Sequence, residues 1–336
     1  RRVFIFTFYR PECYNIRTNC GIHPKELLIM NGKSMNYDAL ILDTDIGDDI
    51  DDAYALCLLM AEKANVIGVS TVYRNAVQRA RIASALISLW GEKIPVYAGE
   101  SYPEVQPLFK FEKADVDGKP MIPHYIPAVM ENAKIEEKNG VDFLLDTVRA
   151  NPYSITVLAI GPFTNLAAAA ERDPETFGKI KRILIMGGDY TSIVPEWNIL
   201  CDPEAADKVF RSGVPIRAVG FDVTKRCRFD DETLAFLRSL KAEKNKLLVR
   251  MTEIWIDHNR EKGAVPTMHD PLTAETLFDD SLVTFARGKF KVMLGGENRG
   301  ATVPDPDGTE IEYAADVDVP AFMARLREKL KEEGQC

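Results

Sequence analysis

Six aspartates lie within ten residues, in the run Asp43–Asp52. The apolar segment Ala39–Leu42 before the run predicts a buried strand, and apolar residues at helical spacing after it predict a helix. One carboxylate can cap a helix and others are favourable near its N-terminus, but crowded carboxylates repel one another. Because no Lys or Arg interrupts the run and its side-chain ligand atoms are oxygens, it predicts a hard cation, Ca²⁺ or Mg²⁺.

The composition of the chain fits an ordinary globular enzyme, because 46% of its 336 residues are hydrophobic and 28% are charged. The net charge of −9 argues against nucleic acid or an anionic membrane as a partner, and no apolar run approaches the length of a membrane span. The six cysteines show no CxxC spacing, so we expect reduced thiols and a cytoplasmic protein. A disulfide between Cys13 and Cys20 stays open as an alternative.

The first 34 residues carry six basic and two acidic side chains, although the whole chain is acidic. This shift in charge leads us to interpret residues 1–34 as an N-terminal extension outside the fold. Residues 35–336 contain no convincing linker or internal repeat, and we expect them to form a single domain.

Strand-like and helix-like segments alternate from residue 39 to residue 221, and residues 281–313 read as paired strands. Such alternation predicts an α/β fold with an open, mostly parallel, Rossmann-like sheet and helices on both faces. In these sheets ligands bind at the carboxyl ends of the strands. The polar candidates Asp43, Asp45 and Asn75, and the main-chain carbonyl of Ile160, all follow predicted strands. We therefore expect a site at that edge.

The run Asp43–Gly47, followed by Asp51-Asp52-Ala53, resembles the N-terminal signature of the nucleoside hydrolases, the inosine-uridine preferring nucleoside N-ribohydrolase family. Further similar motifs follow in the same order and extend the resemblance over residues 38–330. They are Thr71–Asn75, Ile94–Gly99, Gly161–Leu166, Met186–Gly188, Glu196–Ile199, Asp202–Ala206, Gly220–Thr224 and His269–Leu272.

The resemblance implies an enzyme of nucleoside salvage that hydrolyses the N-glycosidic bond of a ribonucleoside to ribose and free base. It implies a Ca²⁺ ion coordinated by Asp45, Asp52, the main-chain carbonyl of Ile160 and Asp270. Asp45 would act as general base on a metal-bound water, and anionic surroundings suit an oxocarbenium-like transition state. His269 is the candidate acid for the leaving base.

The resemblance also implies the groups that hold the sugar. The ribose hydroxyls would be bound by a set of carboxylates and amides, namely Asp51, Asn75, Glu196, Asn198 and Asp270. Asp43 would support the cluster of aspartates from behind. The family also implies a homodimer or homotetramer. Taken alone, Asn75 and Asp270 could equally cap the helices that follow them.

Three features depart from the family pattern. The acidic turn is two residues longer than usual, which makes Asp48 and Asp49 extra. Tyr190 stands where an amide that binds the 5′-hydroxyl of the sugar is usual. The segment Ala114–Lys119 replaces a His-Gly segment. The last two departures bear on the choice of base and of nucleoside.

Two alternatives stay open. A haloacid-dehalogenase-like, Mg²⁺-dependent phosphatase would use Asp43 as nucleophile and Asp45 as acid and base, but Gly47 stands where that family has Thr or Val. A Ca²⁺-dependent nucleoside- or ribose-binding protein that has lost catalysis is favoured by Tyr190 and by the missing loop histidine. The presence of both Asp45 and His269 argues against it.

Overall fold

A computed structural model describes residues 29–30, 33–34, 38–109 and 122–332. The chain divides into two units, residues 1–36 and residues 37–336. In the first unit, β1 (Ile29–Met30) and β2 (Lys33–Ser34) pair as antiparallel strands. Cys13, Cys20 and the segment Ala114–Lys119 lie outside the described residues.

Nine strands form the sheet of the second unit. In space their order is β10-β9-β11-β8-β7-β6-β3-β4-β5, and the seven strands from β11 to β5 are parallel to one another. β9 runs antiparallel to both β10 and β11, so the predicted paired strands of residues 281–313 and the mostly parallel sheet are confirmed. In chain order the strands are β3 (Ala39–Thr44), β4 (Val66–Thr71), β5 (Val96–Ala98), β6 (Ile155–Ala159), β7 (Arg182–Met186), β8 (Ile216–Val219), β9 (Val283–Val292), β10 (Thr302–Pro304) and β11 (Thr309–Val317).

Helices connect these strands. The helices are α1 (Asp51–Ala61), α2 (Ala76–Leu89), α3 (Pro127–Met130), α4 (Gly140–Ala150), α5 (Thr164–Arg172), α6 (Pro174–Phe177), α7 (Trp197–Cys201), α8 (Pro203–Phe210), α9 (Phe221–Thr224), α10 (Asp231–Ser239), α11 (Glu243–Asn259), α12 (His269–Glu275) and α13 (Val319–Glu332), with 3₁₀ turns at Arg260–Lys262 and Asp280–Leu282. In the part of the chain that the structure covers, no helix is long and apolar enough to span a bilayer.

Apolar side chains are buried on both faces of the sheet. Because successive side chains of a strand point to opposite faces, Leu40 and Leu42 of β3 belong to one core and Ile41 belongs to the other. The first core includes the apolar residues of α1, and the second includes Leu166 of α5. Each such buried side chain contributes about 1.5–3 kcal/mol relative to exposure. The predicted helices on both faces are confirmed.

The turn after β3 brings the acidic run to the carboxyl edge of the sheet. Gly47 in this turn has a φ of +119°, which a side chain rarely tolerates, and an added Cβ would lie 2.4 Å from Ile122 and 2.7 Å from Ile82. A glycine is therefore required where the turn packs most closely. Helix α1 then begins at Asp51, so the last two aspartates of the run occupy its first turn.

Candidate active site

A cavity of about 730 Å³ opens at the carboxyl edge of the sheet. Its floor is formed by residues that follow different strands and by the start of α12. Asp45, Asp52, Ile160 and Asp270 all line it, so the structure brings together the residues predicted to bind the metal. Asp51, which was predicted to bind the sugar, lines the cavity as well. This is the edge at which parallel α/β sheets bind ligands.

Three buried carboxylates form the tightest group in this cavity. Asp51, Asp52 and Asp270 each offer an oxygen, and these atoms lie within 4.8 Å of one another. Burial, with the neighbouring carboxylates adding to it, raises the pKa of all three well above the ordinary value. Within the described residues, no lysine or arginine forms an ion pair with them. A hard divalent cation would relieve this repulsion, and the oxygen-only donor set suits one.

Two helix starts hold the three carboxylates in place. Asp51 and Asp52 are the first residues of α1, and Asp270 is the second residue of α12. The Asp270 main-chain N–H donates to Asp51 Oδ2 at 3.1 Å, and the Thr44 hydroxyl donates to Asp52. The capping alternative for Asp270 is wrong, because the side chain makes no cap on α12 and faces the other two carboxylates.

Asp45 lies beside this group but is not a member of it. Its carboxylate Oδ2 is 3.9 Å from Nη2 of Arg79, a side chain with no exposed surface. Arg79 also donates to the main-chain carbonyls of Asp45, Ile46 and Tyr73. Burial raises the pKa of Asp45 to about 6 although Arg79 acts to lower it. One guanidinium therefore fixes both the backbone and the carboxylate of Asp45.

Asp48 is an ion-pair partner rather than a surplus carboxylate. It pairs with Arg79 Nη2 at 2.7 Å and with Arg74, and these two cations hold its pKa below the usual range although burial acts to raise it. Tyr73 and Arg74 adopt φ values of 69° and 61°, which bulky residues seldom do. Neither arginine was predicted to belong to the site, because they lie 26 and 31 residues from Asp48 along the chain. An extra aspartate, with one basic residue in the loop after β4 and another in the first turns of α2, was the available signal.

Asp43 and Asn75 have structural partners outside the cavity wall. Asp43 accepts hydrogen bonds from Ser70 Oγ at 2.5 Å and from Asn165 Nδ2 at 2.7 Å. These contacts are consistent with the predicted role of Asp43, which is to support the aspartate cluster from behind. Burial raises its pKa to about 7. The Asn75 side-chain oxygen accepts from Gln78 N at 3.2 Å and caps α2. Asn75 is the one predicted sugar ligand that does not line the cavity.

Glu196 and Asn198 line the wall next to Ile160. Glu196 caps α7 by accepting from the N–H groups of Asn198 and Ile199, and it accepts a third hydrogen bond from Gly188. Burial raises the Glu196 pKa to about 7. Asn198 Nδ2 donates to the carbonyl of Ile160 at 3.0 Å, so the amide is oriented with its oxygen left for a ligand.

His269 lies beside Asp270 in the cavity wall. Its Nδ1 is 2.7 Å from the Thr224 hydroxyl, and its ring stacks on Phe221 with centroids 5.7 Å apart. Burial lowers its pKa to about 4, so the ring is neutral at pH 7. His258 also lines the cavity, whereas Tyr190 is buried against Phe290 and Tyr313.

Comparison with known proteins agrees with this geometry. The family model of the inosine-uridine preferring nucleoside hydrolases matches residues 40–324. A probable uridine nucleosidase 1 from Oryza sativa subsp. japonica is 30% identical, over 89% of this chain and 98% of the relative. A solved plant nucleoside hydrolase superposes with a TM-score of 0.77 at 29% identity, over 88% of this chain and 99% of the other. A purine-preferring ribonucleoside hydrolase from Gardnerella vaginalis superposes with a TM-score of 0.73 at 28% identity, over 87% and 98%.

The chain belongs to the inosine-uridine preferring nucleoside hydrolase family. It is an N-ribohydrolase, an enzyme that hydrolyses the N-glycosidic bond of ribonucleosides. Members of the family generally depend on a metal, and the buried carboxylates of Asp51, Asp52 and Asp270 provide a group that could hold one. The phosphatase alternative is not favoured.

Proposed function

We propose that this protein hydrolyses ribonucleosides to ribose and free base in a Ca²⁺-dependent reaction. The observation that carries the proposal is the group of three buried carboxylates, whose oxygens lie within 4.8 Å of one another on the floor of the cavity. Asp52 and Asp270 belong to this group, and Asp45 and the carbonyl of Ile160 line the same floor, so these four would hold the ion. Bound there, Ca²⁺ supplies electrostatic activation of the attacking water.

The remaining steps are assigned to side chains of this chain. Asp45, held by Arg79, takes the proton of the attacking water as general base. The carboxylates of the floor stabilise the positive charge that develops on the sugar in an oxocarbenium-like transition state. When the Thr224 hydroxyl donates to Nδ1 of His269, Nε2 keeps its hydrogen and can donate it to the departing base.

The ribose hydroxyls would be held at the same floor. Asp51 and Asp270 flank the ion position, and Glu196 and Asn198 present oxygens from α7 with their backbone contacts already made. Asn75 would act on the sugar indirectly, through the start of α2, because its side chain caps that helix. Asp43 would keep Asp45 in place from behind.

The assembly, the compartment and the range of bases complete the proposal. We propose a cytoplasmic homodimer or homotetramer in which residues 1–34 are an extension of the catalytic domain. The names of the relatives mention uridine in one case and purines in another, so both classes of base belong in the assay.

The deciding experiment follows reducing sugar when purified protein is incubated with inosine, uridine, cytidine and adenosine, with Ca²⁺ present or removed by chelation. We expect Asp45→Ala to abolish sugar release, because a general base contributes about 10²–10⁴-fold. Glu175→Gln, at a side chain that is 86% exposed, is the matched control and keeps full activity. Full activity of Asp45→Ala, or release of phosphate from phosphomonoesters by the parent protein, would overturn the proposal.

A further inference from the structure

Positive and negative side chains are distributed unevenly around the cavity. Its floor carries four carboxylates, those of Asp45, Asp51, Asp52 and Asp270. Two side chains of the lysine and arginine type also line the cavity, Arg74 and Lys262. Arg74 is ion-paired to Asp48, whereas Lys262 forms no ion pair with a carboxylate of the described chain. Lys262 therefore brings a positive charge to the cavity that the fold itself does not neutralise.

Lys262 is held in the cavity wall by the end of α11. The helix ends at Asn259, and the 3₁₀ turn Arg260–Lys262 follows it. Asn259 Nδ2 donates to the main-chain carbonyl of Trp255 at 3.0 Å, and Lys262 Nζ donates to Asn259 Oδ1 at 3.4 Å. Trp255, Asn259 and Lys262 all line the cavity. An ammonium group has three N–H donors, so two of them are left for a ligand.

The proposed function leaves this wall for the base. It assigns the sugar hydroxyls to a set of four residues on the floor and at the start of α7, namely Asp51, Asp270, Glu196 and Asn198. The wall that carries Lys262 holds none of them. Only seven positions separate Lys262 from His269, the proposed acid for the departing base. The base is therefore expected on the side of the cavity where α11 leads into α12.

The movement of electrons in the reaction divides the substrate by charge. When the C1′–N bond breaks, its electron pair stays on the base, so positive charge develops on the sugar and negative charge on the base. The carboxylates of the floor stabilise the charge on the sugar and would repel the charge on the base. The base is the part of the substrate that a cation stabilises in the transition state. A lysine without an ion pair in this acidic cavity is therefore complementary to the base.

We propose that Lys262 is a further catalytic residue, whose ammonium group donates to the departing base and stabilises the negative charge on it. The inference rests on the proposed function and names a substrate class, nucleosides whose base carries this charge on oxo groups, such as uracil and hypoxanthine. The water oxygen bonds to C1′ and gives its proton to Asp45, the C1′–N bond breaks, and the base takes up one proton as it leaves. Lys262 keeps its own proton throughout, so the products are ribose and the free base.

The test measures how strongly the rate depends on the leaving group in the parent protein and in Lys262→Met. The substrates are uridine, 5-fluorouridine, whose base leaves more readily, and nitrophenyl riboside, whose leaving group is stable as an anion. We expect Lys262→Met to lower kcat/KM for uridine about fivefold, which is the upper size of effect that one exposed charge has. The loss should be smaller for 5-fluorouridine and absent for the nitrophenyl compound. Lys262→Arg keeps the charge and should keep the parent pattern.

Arg260→Met is the matched control. Arg260 lies in the same turn, its side chain is 74% exposed and pairs with Asp257, and it does not line the cavity. This variant removes the same charge from the protein and should hydrolyse all three substrates at the parent rate. Equal losses on all three substrates in Lys262→Met, no loss on uridine, or the same pattern in Arg260→Met overturns the role of Lys262 alone. Release of base from no nucleoside by the parent protein overturns the proposed function instead.

Discussion

Helices α1 and α12 enclose a group of three carboxylates at each of their two ends. At their N-terminal ends lie Asp51, Asp52 and Asp270, which form no ion pair with a basic side chain in the described structure. At their C-terminal ends lie Glu62, Glu275 and Asp279, and Arg325 of α13 lies within 3.4 Å of all three. The carboxylates at the N-terminal ends therefore have no ion pair with a basic side chain in the described structure, whereas those at the C-terminal ends have Arg325.

Buried carboxylates have two roles in proteins: they pair with a basic side chain of the same chain, or they bind an ion from solution. Helix N-termini favour negative charge and C-termini disfavour it, so the C-terminal group needs a cation from the chain itself. A helix dipole contributes only about 0.3–2 kcal/mol, which is too little to offset three buried charges at the other end. The C-terminal group has its cation from the chain itself, whereas the group in the cavity has none among the described residues, and an ion from solution would supply it.

The largest expected effect comes from removing a carboxylate of the N-terminal group. We expect Asp52→Ala to lose its bound metal and at least about 10³-fold of its nucleoside hydrolysis, because activation by a metal is worth several kcal/mol. Elemental analysis and a reducing-sugar assay measure the two losses. Glu62→Gln, in the C-terminal group, is the control that keeps its metal. Stoichiometric metal retained in Asp52→Ala would move the ion elsewhere.

Arg325→Met removes the cation of the C-terminal group. We expect the free energy of unfolding to fall by about 3 kcal/mol, at the low end for a broken buried ion pair because Arg325 is 29% exposed. Denaturant titration measures this loss. Metal content should not change, in contrast to Asp52→Ala. The exposed variant Arg260→Met should cost less than about 1 kcal/mol, and an equal loss there would mean that the C-terminal group has no special need of its arginine.

Added Ca²⁺ should stabilise the fold through the N-terminal group alone. An ion that binds only the folded state adds about 2.7 kcal/mol at 100 times its dissociation constant, so the unfolding temperature should rise with Ca²⁺ concentration. Thermal unfolding of the parent and of Arg325→Met should show this rise, and Asp52→Ala should not. A rise that persists in Asp52→Ala would place the stabilising ion at another site.

A further expected effect is a change in the pH dependence of stability. Burial raises the pKa of Glu275 from 4.5 to about 8 although Arg325 acts to lower it. The folded state then binds the proton more tightly than the unfolded state, so this contribution to stability is complete below pH 4.5 and is lost as the pH rises through about 8. Glu275→Gln should lose less stability than the parent over this range, in urea titrations at pH 5 and pH 8.5. Parallel pH profiles for both proteins would contradict the raised pKa.

The sequence by itself determined the fold class and the composition of the acidic turn. The spacing of apolar residues depends on neighbours a few positions away, so it correctly predicted the mostly parallel sheet and the paired strands of residues 281–313. The order of the motifs was sufficient to predict the family.

Only the tertiary structure decided which charges meet. Asp270 joins Asp51 across 219 positions of the chain, and Arg79 reaches Asp45 across 34. Such contacts depend on strand order and helix packing, which leave no periodic signal in the sequence. For the same reason the sequence left open whether Asn75 binds the sugar or caps α2. The structure shows the cap, because the partner of the Asn75 side chain is set by the backbone geometry of that turn. The aspartates of the run are alike in sequence, but their surroundings in the fold give Asp48 a pair of arginines and place Asp51 and Asp52 beside Asp270, with no ion pair to a basic side chain in the described structure.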